Sequence, residues 1–160
     1  MEQTRYPDHT DAGAELTGLM LEIFRANGAL LAAGDRLVAP LGLTSARWQV
    51  LGSIALTDHP LPVAHLARVM GLSRQAVQRV VNDLEGEGFV RFEPNPHHKR
   101  AHLVVLTAKG QEAYDAAAAR EAPWANALAG DLSAEEIAAA RRVVTVLTRH
   151  LETGAESEGG

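Results

Sequence analysis

Apolar positions in this chain recur at helical spacing and are interrupted by short stretches rich in Gly and Pro. Between Asp11 and Pro40, Leu16, Leu19, Met20, Ile23, Leu30 and Leu37 predict one long helix. Within it, positions 16, 20, 23, 27, 30, 34 and 37 form a seam suited to packing helix against helix, with Asn27 and Gly34 as its polar and small members. Gly42 stops that run. Thr44 reads as the N-cap of a second helix through about Leu56, carrying Trp48, Val50, Leu51 and Ile54. After the loop "TDHPLP", Pro62 suits the first position of a third helix reaching Met70. Gly71 suits the left-handed residue that ends it. Ser73 caps a fourth helix, closed by Gly86 and Gly88.

The period then changes. "FVRFE" and "AHLVVLT" are rich in strand formers and flank the turn-forming "PNPHHKR", which predicts an antiparallel hairpin with a long basic tip. Thr107 caps an Ala-rich fifth helix, broken or kinked at Pro123. "LSAEEI" opens a sixth: Ser133 and Glu136 have the spacing of a capping box, Leu132 and Ile137 that of a hydrophobic staple. Its stripe of Ile137, Ala140, Val144, Leu147 and Leu151 is a second seam. Residues 1–10 read as a flexible arm, and the acidic, Gly-rich residues 153–160 as a disordered tail.

The fourth helix has two contrasting sides. Val77, Val80, Val81 and Leu84 share one, and Gln75, Gln78, Arg79 and Asn82 share the other, with no acid before Asp83. A solvated helix face would explain the polar side on its own. The preceding turn adds more. Third and fourth helices are joined through Gly71, Ala67 is small enough for a close crossing, and Leu66, Met70, Leu72, Val77 and Val80 are placed to pack together. That is a helix-turn-helix pattern. The second helix of such a unit lies in the DNA major groove, where amides pair with adenine and guanidinium groups with guanine. Gln75, Gln78, Arg79 and Asn82 are therefore the base-reading candidates, with Arg74 on the flank. Ser73 and the first free N–H groups of the helix suit a phosphate.

Composition sharpens this picture. With 160 residues, 46% hydrophobic and only 4% aromatic, the chain favours a mainly α fold with a small β element. The net charge of −5 argues against a nucleic-acid partner until it is mapped. Residues 68–109 hold seven Lys/Arg and four acids, a net of +3, and the remainder a net of −8. The absence of Cys excludes disulfides, zinc–thiolate sites and thiol chemistry. No glycine-rich phosphate loop, nucleophile elbow or metal-ligand spacing is present, so neither enzymatic activity nor a cofactor is expected. His97, His98 and His102 lack the spacing of a zinc site, but their imidazoles make the charge of the hairpin tip pH-dependent. With no apolar leader and no long apolar run, a cytoplasmic protein without a membrane span is expected.

Residues 12–152, including "LTSARWQVLGSI" and above all "GFVRFEPNPHHKRAHLVVLTAKG", resemble the multiple-antibiotic-resistance regulator (MarR) family of winged helix-turn-helix transcription factors. The family's hairpin tip reads roughly Asp-Pro-x-Asp-Arg/Lys-Arg-Ala before a strand and Leu-Thr-x-x-Gly. Here Asn95 and His98 replace both acids, the second of which helps hold the wing arginine in the family, while Lys99 and Arg100 remain. The resemblance implies a winged domain at 44–107, with helices at 11–39 and 108–152 forming an intertwined dimerisation domain. It implies residues 73–86 in the major groove and the 94–100 wing in the minor groove, with Arg100 entering the latter. A homodimer would set two reading helices about 34 Å apart on a pseudo-palindromic operator. It further implies a repressor released by a small aromatic or anionic effector, with Arg47 and Trp48 holding an anion and a ring and Met20, Phe24, Leu51 and His65 nearby. The competing expectation is a winged-helix protein-interaction module without specific DNA binding, whose DNA contacts would be weak and insensitive to salt.

Overall fold

The computed structural model describes residues 8–158, and side chains as far as 154. The elements run α1 (Asp11–Val38), one tighter helical turn (Ala39–Leu41), α2 (Ser45–Ala55), β1 (Leu61–Pro62), α3 (Val63–Met70), α4 (Arg74–Gly86), β2 (Val90–Glu93), β3 (Leu103–Leu106), α5 (Ala108–Ala129) and α6 (Ala134–Glu158). The chain forms two compact units that part between Glu121 and Ala122. The fold is the mainly helical winged helix-turn-helix expected from the sequence.

Local chemistry sets the helix starts. Thr10, Thr44 and Ser73 have extended backbones, and each hydroxyl oxygen accepts from the N–H three residues on, at Gly13, Arg47 and Ala76. Gly71 ends α3 in the left-handed region at φ 64°, and its N–H donates to the carbonyls of Ala67 and Arg68. Only a residue without a Cβ takes that conformation cheaply, and it lets α4 follow after a turn of three residues.

The core of the first unit lies where α2, α3 and α4 meet the sheet. Leu51, Leu66, Val77, Val81, Leu84, Val90 and Val104 are fully buried there. Burial of each such side chain contributes about 2 kcal/mol. β3 is the central strand: it pairs antiparallel with β2 from Val90↔Leu106 to Glu93↔Leu103, and with β1 through Leu61↔Val104 and Pro62↔Leu103. The run Leu103-Val104-Val105-Leu106 suits a strand with neighbours on both edges.

Several expectations are corrected. Pro62 is the N-cap of α3 and part of the edge strand β1, not the first helical residue. An edge position tolerates its missing N–H. The helix α5 continues through Pro123 rather than breaking there, because the surrounding alanines keep helical backbone geometry despite one lost hydrogen bond. The helix α6 extends to Glu158, so residues 153–158 are helical where a tail was expected. Most of the expected arm, residues 1–7, and the last two residues lie outside the described residues, and Thr10 belongs to the cap of α1.

The seam on α1 is also divided. Gly34 and Val38 are buried against this chain's own α2. The Ser45 hydroxyl donates to the Leu31 carbonyl at 2.7 Å, and the Ser45 N–H donates to Asp35 Oδ1 at 2.7 Å. A Cβ on Gly34 would come within 2.5 Å of the Ser45 hydroxyl oxygen, so this crossing needs glycine. Leu21, Phe24, Leu30 and Leu31 stay exposed. Against expectation, the segment Asp11–Leu41 is long and apolar enough by length and composition to cross a membrane. Its leucines and alanines raise the hydropathy, but a Glu22–Arg25 ion pair interrupts the run and its last turns are packed on α2.

Candidate nucleic-acid interface

The helix α4 is held by its apolar side and free on the other. Val77, Val81 and Leu84 are buried, while Arg74, Gln75, Arg79 and Asn82 are exposed and Gln78 is half-buried. Arg74, Gln75, Gln78, Arg79 and Asn82 line one open surface together with Asp83. The five base-reading and flanking candidates are thus brought together. Ser73 stands at the start of this surface with its hydroxyl oxygen engaged by the Ala76 N–H at 3.2 Å. Gln78 Nε2 donates to Asn82 Oδ1 at 2.8 Å, which leaves a Gln78 carbonyl oxygen and an Asn82 amide N–H available outward.

The wing turn is ordered by a residue that departs from the family pattern. Asn95 Oδ1 accepts from the His97 N–H at 3.0 Å, and Asn95 Nδ2 donates to the Ala101 carbonyl at 2.9 Å. Backbone bonds His98 N–H to Asn95 O and Ala101 N–H to His98 O close the turn. An aspartate in this place could make the first side-chain bond and not the second. Lys99 and Arg100 are exposed on that turn. Arg100 faces an open groove shared with Arg74, Gln78 and Asn82 of α4.

That groove holds residues the sequence placed elsewhere. His65 of α3, expected near an effector, lines it beside His97, His98 and His102. The cause is β1: its pairing of Pro62 with Leu103 draws the start of α3 against the wing strand. A two-residue strand has too little pattern to be read from sequence.

The expected effector residues do not gather in one cavity. Leu51 is fully buried in the core and Phe24 is exposed on α1 with Met20 half-buried on the same helix. Trp48 lines an open hollow with Met70 and Tyr114. Arg47 is already engaged: Nη2 pairs with Glu87 at 2.7 Å, and Nη1 donates to the Gly42 carbonyl at 3.3 Å. The sequence offered no signal for this pair, which links the start of α2 to the end of α4 across 40 residues of chain. No cluster of three or more metal-ligating residues occurs among the described residues.

The wing is tied to the helix that follows it. The Thr107 hydroxyl donates to the Gly88 carbonyl at 2.6 Å and accepts from the Gly110 N–H at 3.1 Å. Gly110 is buried, and a Cβ there would fall 1.9 Å from the Phe89 carbonyl oxygen. Lys109 donates to the Glu87 carbonyl at 2.6 Å, with its ammonium 4.3 Å from the centre of the Phe89 ring. This close approach gives the Leu-Thr-x-x-Gly pattern its physical reason.

A model of the MarR family matches residues 41–101, the segment that contains α2, α3, α4 and the wing turn. Over that segment the chain is similar to the MarR family. An uncharacterized protein of Mycobacterium tuberculosis is 35% identical over 127 residues, covering 79% of this chain and 87% of that one. The transcriptional activatory protein BadR of Rhodopseudomonas palustris is 30% identical over 108 residues, 66% of this chain and 62% of its own length. Among solved structures, a mutant MarR of Escherichia coli complexed with operator DNA superposes with a TM-score of 0.75 at 25% identity, covering 86% of this chain and 99% of that chain. The chain therefore has the fold of these MarR-family transcription regulators.

Proposed function

We propose that this chain is a dimeric, sequence-specific DNA-binding repressor that reads a pseudo-palindromic operator. In this reading α4 enters the major groove with Gln75, Gln78, Arg79 and Asn82 on base edges, Ser73 and Arg74 meet the backbone, and Lys99 and Arg100 carry the wing to the minor groove. One observation carries it: the free side of α4 gathers those amides and guanidinium groups while its valines and Leu84 anchor the helix inward. The operator DNA bound to the Escherichia coli MarR structure supports the same use of the fold. The test is fluorescence anisotropy on DNA from upstream of the chain's own gene, followed by footprinting. Affinity should fall at least a hundredfold between about 50 and about 200 mM salt, as Lys and Arg contacts release counterions. Weak binding that ignores salt would instead favour a protein-interaction module. A footprint over the promoter is expected for a repressor, and one upstream of it would make the chain an activator.

An aromatic effector has its own support. Trp48, Met70 and Tyr114 line one open hollow suited to a planar ring, whereas the Arg47 guanidinium is committed to Glu87. We infer that ring stacking, not an Arg47 ion pair, holds such a ligand. In a Trp124→Phe background, phenolic acids that release DNA should also quench Trp48 fluorescence.

A further inference from the structure

We propose that the groove between α3, α4 and the wing takes a backbone phosphate of duplex DNA together with protons, so that operator affinity is coupled to pH. The inference rests on the DNA-binding reading above and specifies how that contact is regulated. Four imidazoles from two separate parts of the chain, His65 on α3 and His97, His98 and His102 on the wing, line this one groove. All four are exposed, and the His102 ring lies 6.3 Å from that of Phe92. The charged residues lining the groove are Arg74 and Arg100, both cationic. Among the described residues no carboxylate lines it. Asp83, on α4, lines the neighbouring face with Arg79, and Glu93, at the end of β2, is bound by Arg91. Arg68 on α3 and Lys99 on the wing add only positive charge to these elements.

A phosphate in the groove pairs with the two arginines and favours the charged form of each imidazole it faces. The complex then holds more protons than the free protein, and affinity rises as pH falls. Each proton taken up steepens the dependence by about tenfold per pH unit.

The experiment measures anisotropy of labelled operator at constant ionic strength between about pH 8 and about pH 6, the imidazole range. Calorimetry in two buffers of different ionisation enthalpy counts the protons independently. For the wild type we expect affinity to rise about tenfold or more over that interval, with net proton uptake. A variant combining His65→Gln, His97→Gln, His98→Gln and His102→Gln should change less than twofold and take up no protons. Wild-type affinity that is flat with pH, or a quadruple variant that keeps the gain, overturns the inference. If salt-dependent operator binding persists in those cases, the DNA-binding reading survives alone. Absence of operator binding at every pH sinks both.

Discussion

Arg79 sits exposed on the open side of α4, and no ion pair of its guanidinium occurs among the described residues. Its guanidinium is thus available for guanine O6 and N7. Arg79→Ala should weaken operator binding by about 1–3 kcal/mol and relax one base position, as read by anisotropy on a set of single-base operator variants. Uniform weakening on every sequence would make Arg79 a phosphate contact instead. Gly110 presents the opposite case, a residue whose side must stay empty. Gly110→Ala places a methyl group where the Phe89 carbonyl oxygen already lies, so either the start of α5 or the end of the α4–β2 connection must move. A loss of about 3 kcal/mol is expected in chemical denaturation, with the wing loosened as a result. Residues with strictly local roles were legible in the sequence: Thr44, Ser73 and Gly71 act on their own neighbours and behave as expected. Arg47 was not, since its partner Glu87 is set by tertiary contact alone. That pair is partly exposed, and its removal by Arg47→Ala should cost no more than about 1 kcal/mol.

At the scale of elements, the wing shows how a departure from the family pattern is accommodated. Asn95 uses both ends of its amide, one to His97 and one to Ala101. Asn95→Asp restores the family's acid but replaces the donor to the Ala101 carbonyl with a repelling oxygen and adds negative charge beside Arg100. Operator affinity should fall several-fold, and amide exchange at Ala101 and His98 should quicken. An unchanged wing would mean that the backbone bonds of the turn suffice. The start of α6 is governed similarly by two side chains. Glu136 accepts from the backbone N–H and the hydroxyl of Ser133, while the Ser133 hydroxyl oxygen accepts from the Glu136 N–H. The backbone hydrogen bond first, then the hydroxyl, holds the Glu136 carboxyl below its usual range. A carboxylate with a lowered folded-state pKa stabilises above its unfolded value and loses that contribution as pH falls through the folded one. Protection of the first-turn amides of α6 against exchange should therefore fall as acid protonates Glu136, and Glu136→Gln should abolish that acid sensitivity. Helices announced themselves through long periodic runs, and this capping box was readable in four letters. The strand β1 was hidden because two residues carry no period, and the end of α6 was misplaced because Gly and acids disfavour a helix without forbidding one.

For the whole molecule, the question is what covers the apolar surface that one chain leaves open. Leu21, Phe24, Leu30 and Leu31 on α1, and Ile137, Val143, Val144, Val146 and Leu151 on α6, are all exposed. Single apolar residues on a surface are ordinary, but two long helices lined with them are not. In the dimer proposed above, a second copy would supply the matching surface by symmetry, and a two-fold axis would set two α4 helices about one DNA turn apart. The charge distribution agrees: the basic excess is confined to residues 68–109, and the acidic remainder, which holds α1 and most of α5 and all of α6, is suited to facing away from phosphate. The reading helix and the open helices would then do separable work, which gives the dimer a sharp test. Phe24 is 74% exposed in the single chain, so folding of the winged unit, followed by circular dichroism, should be preserved in Phe24→Glu. Sedimentation should nonetheless shift from twice the mass of one chain toward a single chain. Affinity for a full operator should drop to that for a half-site, while the wild type separates the two by at least a hundredfold. A wild-type protein that sediments as one chain, or a dissociated Phe24→Glu variant that still prefers the full operator, would show that this surface serves some contact other than the two-fold pairing on which operator symmetry depends.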